Sequence, residues 1–103
     1  MTRAIAVLAA IGALMISTAA SAQQELAKQK NCLACHAIDK KLVGPAYKDV
    51  AKKYANDPAA VTRLAKKVRE GGVGVWGQIP MPANPQVNEA ESVQLVKWVL
   101  SLK

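Results

Sequence analysis

Residues 32–36 read Cys-Leu-Ala-Cys-His and contain both cysteines and the single histidine of the chain. Thiols and imidazole bind soft metals and act as nucleophiles, so three chemistries suit this stretch. They are a redox disulfide, a zinc site and covalent attachment of a haem. The other candidate is Met81, which has a proline on each side. A methionine in a loop ordinarily fills a packing gap, so Met81 alone predicts little.

The first 22 residues predict that the protein is exported. Arg3 provides a short basic start, residues 4–16 are apolar, and the segment ends in Ala-Ser-Ala at residues 20–22. This order is typical of a secretory signal peptide. A membrane anchor is the alternative, but the apolar run is shorter than the roughly 20 residues that span a bilayer. We therefore expect cleavage after Ala22 and one mature domain over residues 23–103, in the periplasm.

The mature part predicts an all-α domain, a compact bundle of four short helices. No segment shows the alternation of a half-buried strand, and there is no internal repeat. The helical stretches are expected over residues 25–31, 47–54, 58–70 and 89–101.

Local signals support the bounds of these helices. Asp57-Pro58 is a typical helix start, and Gly71-Gly72 is a typical end. Asn88 and Glu91 have the spacing of a capping box at the start of the last helix. That helix is mostly apolar, so we expect it to be deeply packed, with Trp98 in the core. Both tyrosines are also expected to serve packing.

The stretch between the last two helices, residues 71–87, contains four glycines and three prolines around Trp76 and Met81. Loops longer than about 12–15 residues without regular structure are uncommon and are usually functional. The prolines fix φ and remove backbone donors. We therefore expect an irregular but stiff loop that holds Met81 in place.

Haem attachment fits the cysteine motif best. A thioredoxin-like pair is expected near a βαβ pattern, and this sequence predicts no strands. Structural zinc takes four ligands, usually in two separated pairs, and the chain has one such pair. On a helical turn Cys32 and Cys35 project to one side, where both thiols can add to the two vinyl groups of a haem. His36 is then placed beneath the iron, so we expect one haem c attached through Cys32 and Cys35.

With haem attached, Met81 becomes the sixth ligand by elimination. His36 is the single histidine, and the other two methionines leave with the signal peptide. Electron-transferring cytochromes use His/Met ligation, because the neutral thioether favours ferrous iron. We expect an electron carrier without substrate chemistry of its own. A haem enzyme or gas sensor is the alternative, but it needs an open iron position and distal polar groups that the sequence does not offer.

Four stretches of the mature chain resemble the small bacterial class I cytochromes c of the c-551 type. They are N-C-L-A-C-H-A-I-D, V-G-P-A-Y-K-D-V-A, G-V-W-G-Q-I-P-M-P-A-N and L-V-K-W-V-L-S, in this order. The resemblance implies a compact four-helix fold around one haem and electron transport in the periplasm. It also implies that Cys32 and Cys35 form the thioethers and that His36 and Met81 ligate the iron.

The resemblance extends to neighbours of these residues. Pro45 would face the proximal side, where its neighbours' carbonyls can accept the hydrogen bond from His36. Trp76 would donate its indole N–H toward a haem propionate, whereas without the resemblance a loop anchor is the better interpretation. Asn84 would lie near the sulfur of the methionine ligand. Lys67 stands where the family often has an arginine near the propionates, and lysine lacks the planar fork of arginine.

Charge indicates the kind of partner. The chain carries a net charge of +7, of which only Arg3 leaves with the signal peptide. Two haem propionates reduce this charge without reversing it. A basic surface around a haem edge favours brief docking to acidic patches of redox proteins, such as a nitrite reductase, a terminal oxidase or a peroxidase. We expect a monomer that binds no nucleic acid, because it has no reader motif, and that does not insert stably into a membrane.

Overall fold

The computed structural model describes residues 20–103, which contain four helices. A short 3₁₀ turn, Cys32–Ala34, follows the first helix. The helices are α1 (20–29), α2 (Tyr47–Lys53), α3 (Ala60–Glu70) and α4 (Glu89–Ser101). The predicted helical class is confirmed. The predicted signal peptide lies outside the described residues except for residues 20–22, which are helical.

The helix α1 ends earlier than the expected residue 31. Asn31 has a left-handed backbone with φ of 67°, which ends the helical path before the cysteine motif. Within residues 20–103, no helix combines the length and apolar character needed to cross a membrane.

The ends of α3 and α4 are set by local hydrogen bonds. Regular helix begins at Ala60, two residues after the predicted start, because the chain first makes a turn from Asp57. Asp57 still accepts a hydrogen bond from the N–H of Ala59, at 2.9 Å. The predicted capping box is confirmed, since Asn88 Oδ1 accepts from the N–H of Glu91 at 2.8 Å and Glu91 Oε1 accepts from the N–H of Asn88 at 3.1 Å.

A small core lies between α2 and α4. Tyr47 of α2 and Trp98 of α4 are both buried and meet edge to face, with ring centroids 5.7 Å apart. This arrangement confirms both residues as packing residues. The other buried apolar members of this cluster come from several segments of the chain, and they are Ala27, Val50, Val87, Leu95 and Val99.

The connection from α3 to α4 differs from the prediction. It contains a two-stranded antiparallel ribbon of β1 (Gly72–Gly74) and β2 (Gly77–Met81), in which Gly72 pairs with Met81. The prediction of an irregular stretch without strands was therefore wrong. Nearly every ribbon residue is exposed, so the strands carry no alternation of buried and exposed side chains. Gly74 and Gly77 have positive φ at the turn, which glycine adopts without steric cost.

Candidate functional site

The four residues predicted to attach and ligate a haem line one cleft of about 450 Å³. They are Cys32, Cys35, His36 and Met81. The cleft is within the range of roughly 300–1,000 Å³ that is usual for cofactor and small-molecule sites. Apolar side chains from α2, α3 and α4 form much of its wall, and they include Val50, Leu64, Val68, Leu95 and Val99.

A tight turn brings the cysteine motif to the cleft. The N–H groups of Cys35 and His36 both donate to the carbonyl of Cys32, at 3.2 and 3.0 Å. The two thiols are free. Burial raises the pKa of the Cys32 thiol, and a hydrogen bond with Tyr47 opposes this rise. Catalytic thiol–disulfide pairs depend on a lowered thiol pKa, so the environment of Cys32 disfavours the redox-disulfide interpretation.

The imidazole of His36 is oriented by a backbone carbonyl. Its Nδ1–H donates to the carbonyl oxygen of Pro45, at 2.8 Å. Because the carbonyl can only accept, this hydrogen bond fixes the proton on Nδ1 and leaves the lone pair of Nε2 for a metal. The family resemblance implies that carbonyls next to Pro45 accept this hydrogen bond, whereas in the structure the carbonyl of Pro45 itself is the acceptor.

Two residues that the sequence did not predict at the site hold the ring of His36. Tyr47 stacks on it, with ring centroids 4.8 Å apart and an interplanar angle of 19°. Gly44 lies so close that an added Cβ would stand 2.5 Å from His36 Cε1. The N–H of Gly44 donates to the carbonyl of Cys35 at 2.7 Å, which fixes this approach. Only the juxtaposition of Gly44 with His36 in the folded chain shows what this glycine does.

Met81 reaches the cleft from the end of β2. Its side chain is partly buried, and its backbone pairs with Gly72. The chain here is packed closely against the end of α3, since a Cβ added to Gly71 would stand 2.6 Å from the carbonyl oxygen of Met81. The position of Met81 is therefore set mainly by its backbone.

Asn84 connects this loop to α3 and is absent from the residues that line the cleft. Its Nδ2 donates to the carbonyls of Val68 and Pro82, at 2.8 and 3.3 Å. Its backbone N–H donates to the carbonyl of Arg69, at 3.1 Å. The predicted placement of Asn84 near the methionine sulfur stays a prediction.

Trp76 and Lys67 both line the cleft. Trp76 is 43% exposed, and Lys53 Nζ lies 5.6 Å from its ring centroid, in the range of a cation–π contact. The stem of Lys67 lies beside Gly72. Their predicted contacts with propionates stay predictions, but both residues are positioned at the same cleft.

Comparison with known proteins identifies the fold. The family model for cytochrome c matches residues 20–103. The chain belongs to the cytochrome c family. It is 50% identical over 94 residues to cytochrome c-552 of Nitrosomonas europaea, covering 91% of each chain. It is 52% identical over 97 residues to cytochrome c-551 of Pseudomonas aeruginosa, covering 93% of this chain and 92% of that one.

Solved structures agree with this assignment. The crystal structure of the wild-type Nitrosomonas europaea cytochrome c552 superposes with a TM-score of 0.76 at 52% identity, covering 78% of this chain and 99% of that chain. The resemblance to small class I cytochromes c is therefore confirmed. Cytochromes c are small haem electron carriers with covalently attached haem c, and Cys32 and Cys35 provide the two attachment positions.

The residues of this chain fit that group. The cleft contains two thiols at the required spacing, an imidazole with a free Nε2 lone pair, a thioether and an apolar wall. Among residues 20–103, no three histidine, cysteine or carboxylate side chains converge as a metal-binding cluster. The two thiols, the imidazole and the thioether suit a haem c attached through Cys32 and Cys35.

Proposed function

We propose that this protein is a periplasmic single-haem electron carrier in which His36 and Met81 are the axial ligands. The observation that carries the proposal is the hydrogen bond from His36 Nδ1 to the carbonyl of Pro45, at 2.8 Å, within the cleft that Met81 also lines. Because Nδ1 carries the proton, the lone pair of Nε2 is the one that can bind the iron. When bound, haem c supplies the one-electron Fe(III)/Fe(II) couple, and the protein transforms no substrate itself.

The side chains around the cleft set the properties of such a carrier. The carbonyl of Pro45 and the stacked ring of Tyr47 fix the orientation of the His36 imidazole. The neutral thioether of Met81 favours ferrous iron. The apolar wall excludes water, which lowers the local dielectric and tunes the potential. Trp76 and Lys67 are proposed to face the propionates, and Asn84 to lie near the Met81 sulfur.

Charge supports transient docking of redox proteins at the edge of the cleft. Val43, Val75, Trp76 and Ile79 line the cleft in which the haem would lie. The chain as a whole is basic, with a net charge of +7. Acidic partner surfaces would therefore steer encounter, and the rate should fall with ionic strength. A nitrite reductase, a terminal oxidase and a peroxidase are the partner classes we propose for a monomer exported by the signal peptide over residues 1–22.

Spectroelectrochemical titration of the purified holoprotein tests this function. We expect one reversible one-electron transition, low-spin spectra in both oxidation states, and the weak red charge-transfer band of methionine-to-iron ligation in the ferric state. The haem should stay with the polypeptide in acidified acetone, because thioethers hold it. A ferric spectrum of a high-spin, open iron would contradict the proposed ligation and favour an enzyme or gas sensor.

A further inference from the structure

Gln86 joins the two segments that carry the proposed iron ligands. Its Nε2 donates to the carbonyl of Lys30 at 3.0 Å and to Asn84 Oδ1 at 3.1 Å. In the reverse direction, Lys30 Nζ donates to the carbonyl of Gln86 at 3.0 Å. Lys30 comes two residues before Cys32, and Gln86 comes five residues after Met81. One glutamine therefore links the start of the cysteine motif with the methionine loop.

The hydrogen bond to Lys30 pairs a backbone carbonyl at the C-terminal end of α1. The last carbonyls of a helix have no partner within the helix. The left-handed Asn31 turns the chain away directly after Lys30, so the carbonyl of Lys30 needs a donor from elsewhere. The amide of Gln86 provides that donor. Lys30 is held in addition by Glu91 at the start of α4, with Nζ 3.3 Å from Oε2.

The contact on the Asn84 side determines which way its amide points. Asn84 Nδ2 faces the carbonyls of Val68 and Pro82, and its Oδ1 faces the amide of Gln86. Turning the amide over would place its oxygen against two carbonyl oxygens and its NH₂ group against another NH₂ group. Both contacts are repulsive, so Gln86 and Val68 together permit one orientation. In that orientation Asn84 holds the methionine loop on α3.

We propose that Gln86 is a positioning residue that retains Met81 on the iron, an inference that rests on the proposed His36 and Met81 ligation. A thioether is a weak neutral ligand, so its retention depends on the segment that carries it. For the loop after Met81 to move away from α3, the hydrogen bonds of Asn84 must open, and Gln86 holds Asn84 in the orientation that makes them. His36 itself takes part in none of these hydrogen bonds, so its hydrogen bond to the carbonyl of Pro45 should not respond.

The rate at which imidazole displaces the methionine from the ferric holoprotein tests this proposal. We expect Gln86→Ala to accelerate displacement roughly fivefold to tenfold, which is what the loss of about one typical hydrogen bond gives. Gln86→Glu keeps the size of the side chain but cannot donate, so it should accelerate displacement at least as much. Gln94→Ala is the matched control, because Gln94 is exposed and its side chain makes no hydrogen bond within the described residues 20–103.

A second control separates positioning from general loosening. Asp57→Ala removes the hydrogen bonds of Asp57 to Ala59 and Arg63 at the start of α3, away from the methionine loop. If Asp57→Ala accelerates imidazole binding as much as Gln86→Ala does, or if both Gln86 variants bind imidazole at the wild-type rate, the inference is overturned. If the wild-type ferric protein lacks the methionine charge-transfer band, the proposed ligation itself has failed, which is a separate result.

Discussion

The two proposed ligands lie in different kinds of environment. His36 is held by side-chain packing and one short hydrogen bond, with a buried Tyr47 on one ring face and Gly44 in close approach. Met81 ends a ribbon whose side chains are little covered by other residues of the described chain, and part of this ribbon lines the haem cleft. The histidine is therefore oriented by its surroundings, whereas the methionine is delivered by its own backbone.

This difference predicts which of the two ligand-bearing segments opens first as the protein is destabilised. Local stability follows buried apolar contacts, and the ribbon has few of them. Prolines on both sides of Met81 and the hydrogen bonds of Asn84 replace packing as the source of rigidity. We expect the methionine side to open first and the histidine side to open only with global unfolding. Five changes break or sharpen this contrast.

The largest effect is expected when both attachment residues are removed. The core between α2 and α4 is small, and the apolar cleft wall is left without its cofactor. A Cys32→Ala/Cys35→Ala chain should be largely unfolded, because binding to the folded state supplies stability that a short chain lacks. Far-UV circular dichroism and thermal melting measure this. A cooperative melt of the haem-free variant would show that the proximal packing is sufficient alone.

The second change compares the two ligands directly. Met81→Ala should retain haem but lower its reduction potential by at least a few multiples of about 59 mV, each a tenfold change for one electron. Oxygen or amine donors, which favour Fe(III), would replace the soft sulfur. His36→Ala should instead give no stable holoprotein. Potentiometry of the first variant and haem content of the second are the measurements, and an unchanged potential in Met81→Ala would remove Met81 as the ligand.

The third change acts on the backbone that delivers the methionine. Gly71 has φ of +80°, and its added Cβ would stand 2.6 Å from the carbonyl oxygen of Met81. Gly71→Ala combines a strained φ with a backbone clash, so we expect a loss of at least about 2 kcal/mol in the free energy of unfolding. The methionine charge-transfer band should weaken as well. Denaturant titration and the ferric spectrum test both parts, and a variant of wild-type stability would contradict the geometry.

The fourth change acts on the histidine side. Gly44 has ordinary φ, so Gly44→Ala strains no backbone dihedral, but its Cβ would stand 2.5 Å from His36 Cε1. The ring must shift against Tyr47, at a cost of roughly 1–3 kcal/mol. We expect altered hyperfine-shifted signals of the axial histidine by NMR while the methionine band persists. If the methionine band were lost first, the two sides would be coupled more strongly than the contacts indicate.

The smallest effect is expected at the contact where α1 meets α4. Hydrogen bonding to the N–H of Asn88 and pairing with Lys30 lower the pKa of Glu91. A carboxyl whose pKa is lowered on folding contributes stability above its unfolded pKa, and this stability is lost as pH falls through the folded pKa. Glu91→Gln preserves the cap but not the charge. The variant should therefore have a slightly lower melting temperature than the wild type near neutral pH and the same melting temperature in acid. Equal melting temperatures of the two proteins at both pH values would contradict the stabilising role of the Glu91 charge.

Features that depend only on residues close together in the chain could be predicted from the sequence. The capping box of Asn88 and Glu91 and the spacing of Cys32 and Cys35 involve residues three apart, so their geometry follows from one turn of chain. The ribbon was missed because its side chains are exposed on both faces and its strands are rich in glycine. Gly44 against His36 was missed for another reason, since a loop gives no local sign of what will pack on it.

The two tryptophans differ in exposure as sharply as the ligands do. Trp98 is 9% exposed and touches Tyr47, whereas Trp76 is 43% exposed at the mouth of the cleft. Haem absorbs where indole emits, so the complete molecule should be almost dark in ultraviolet fluorescence. Light from a preparation then reports chains without cofactor, which we expect to be largely unfolded with both indoles in water. The molecule thus contains an optical reporter of haem loss, without any added label.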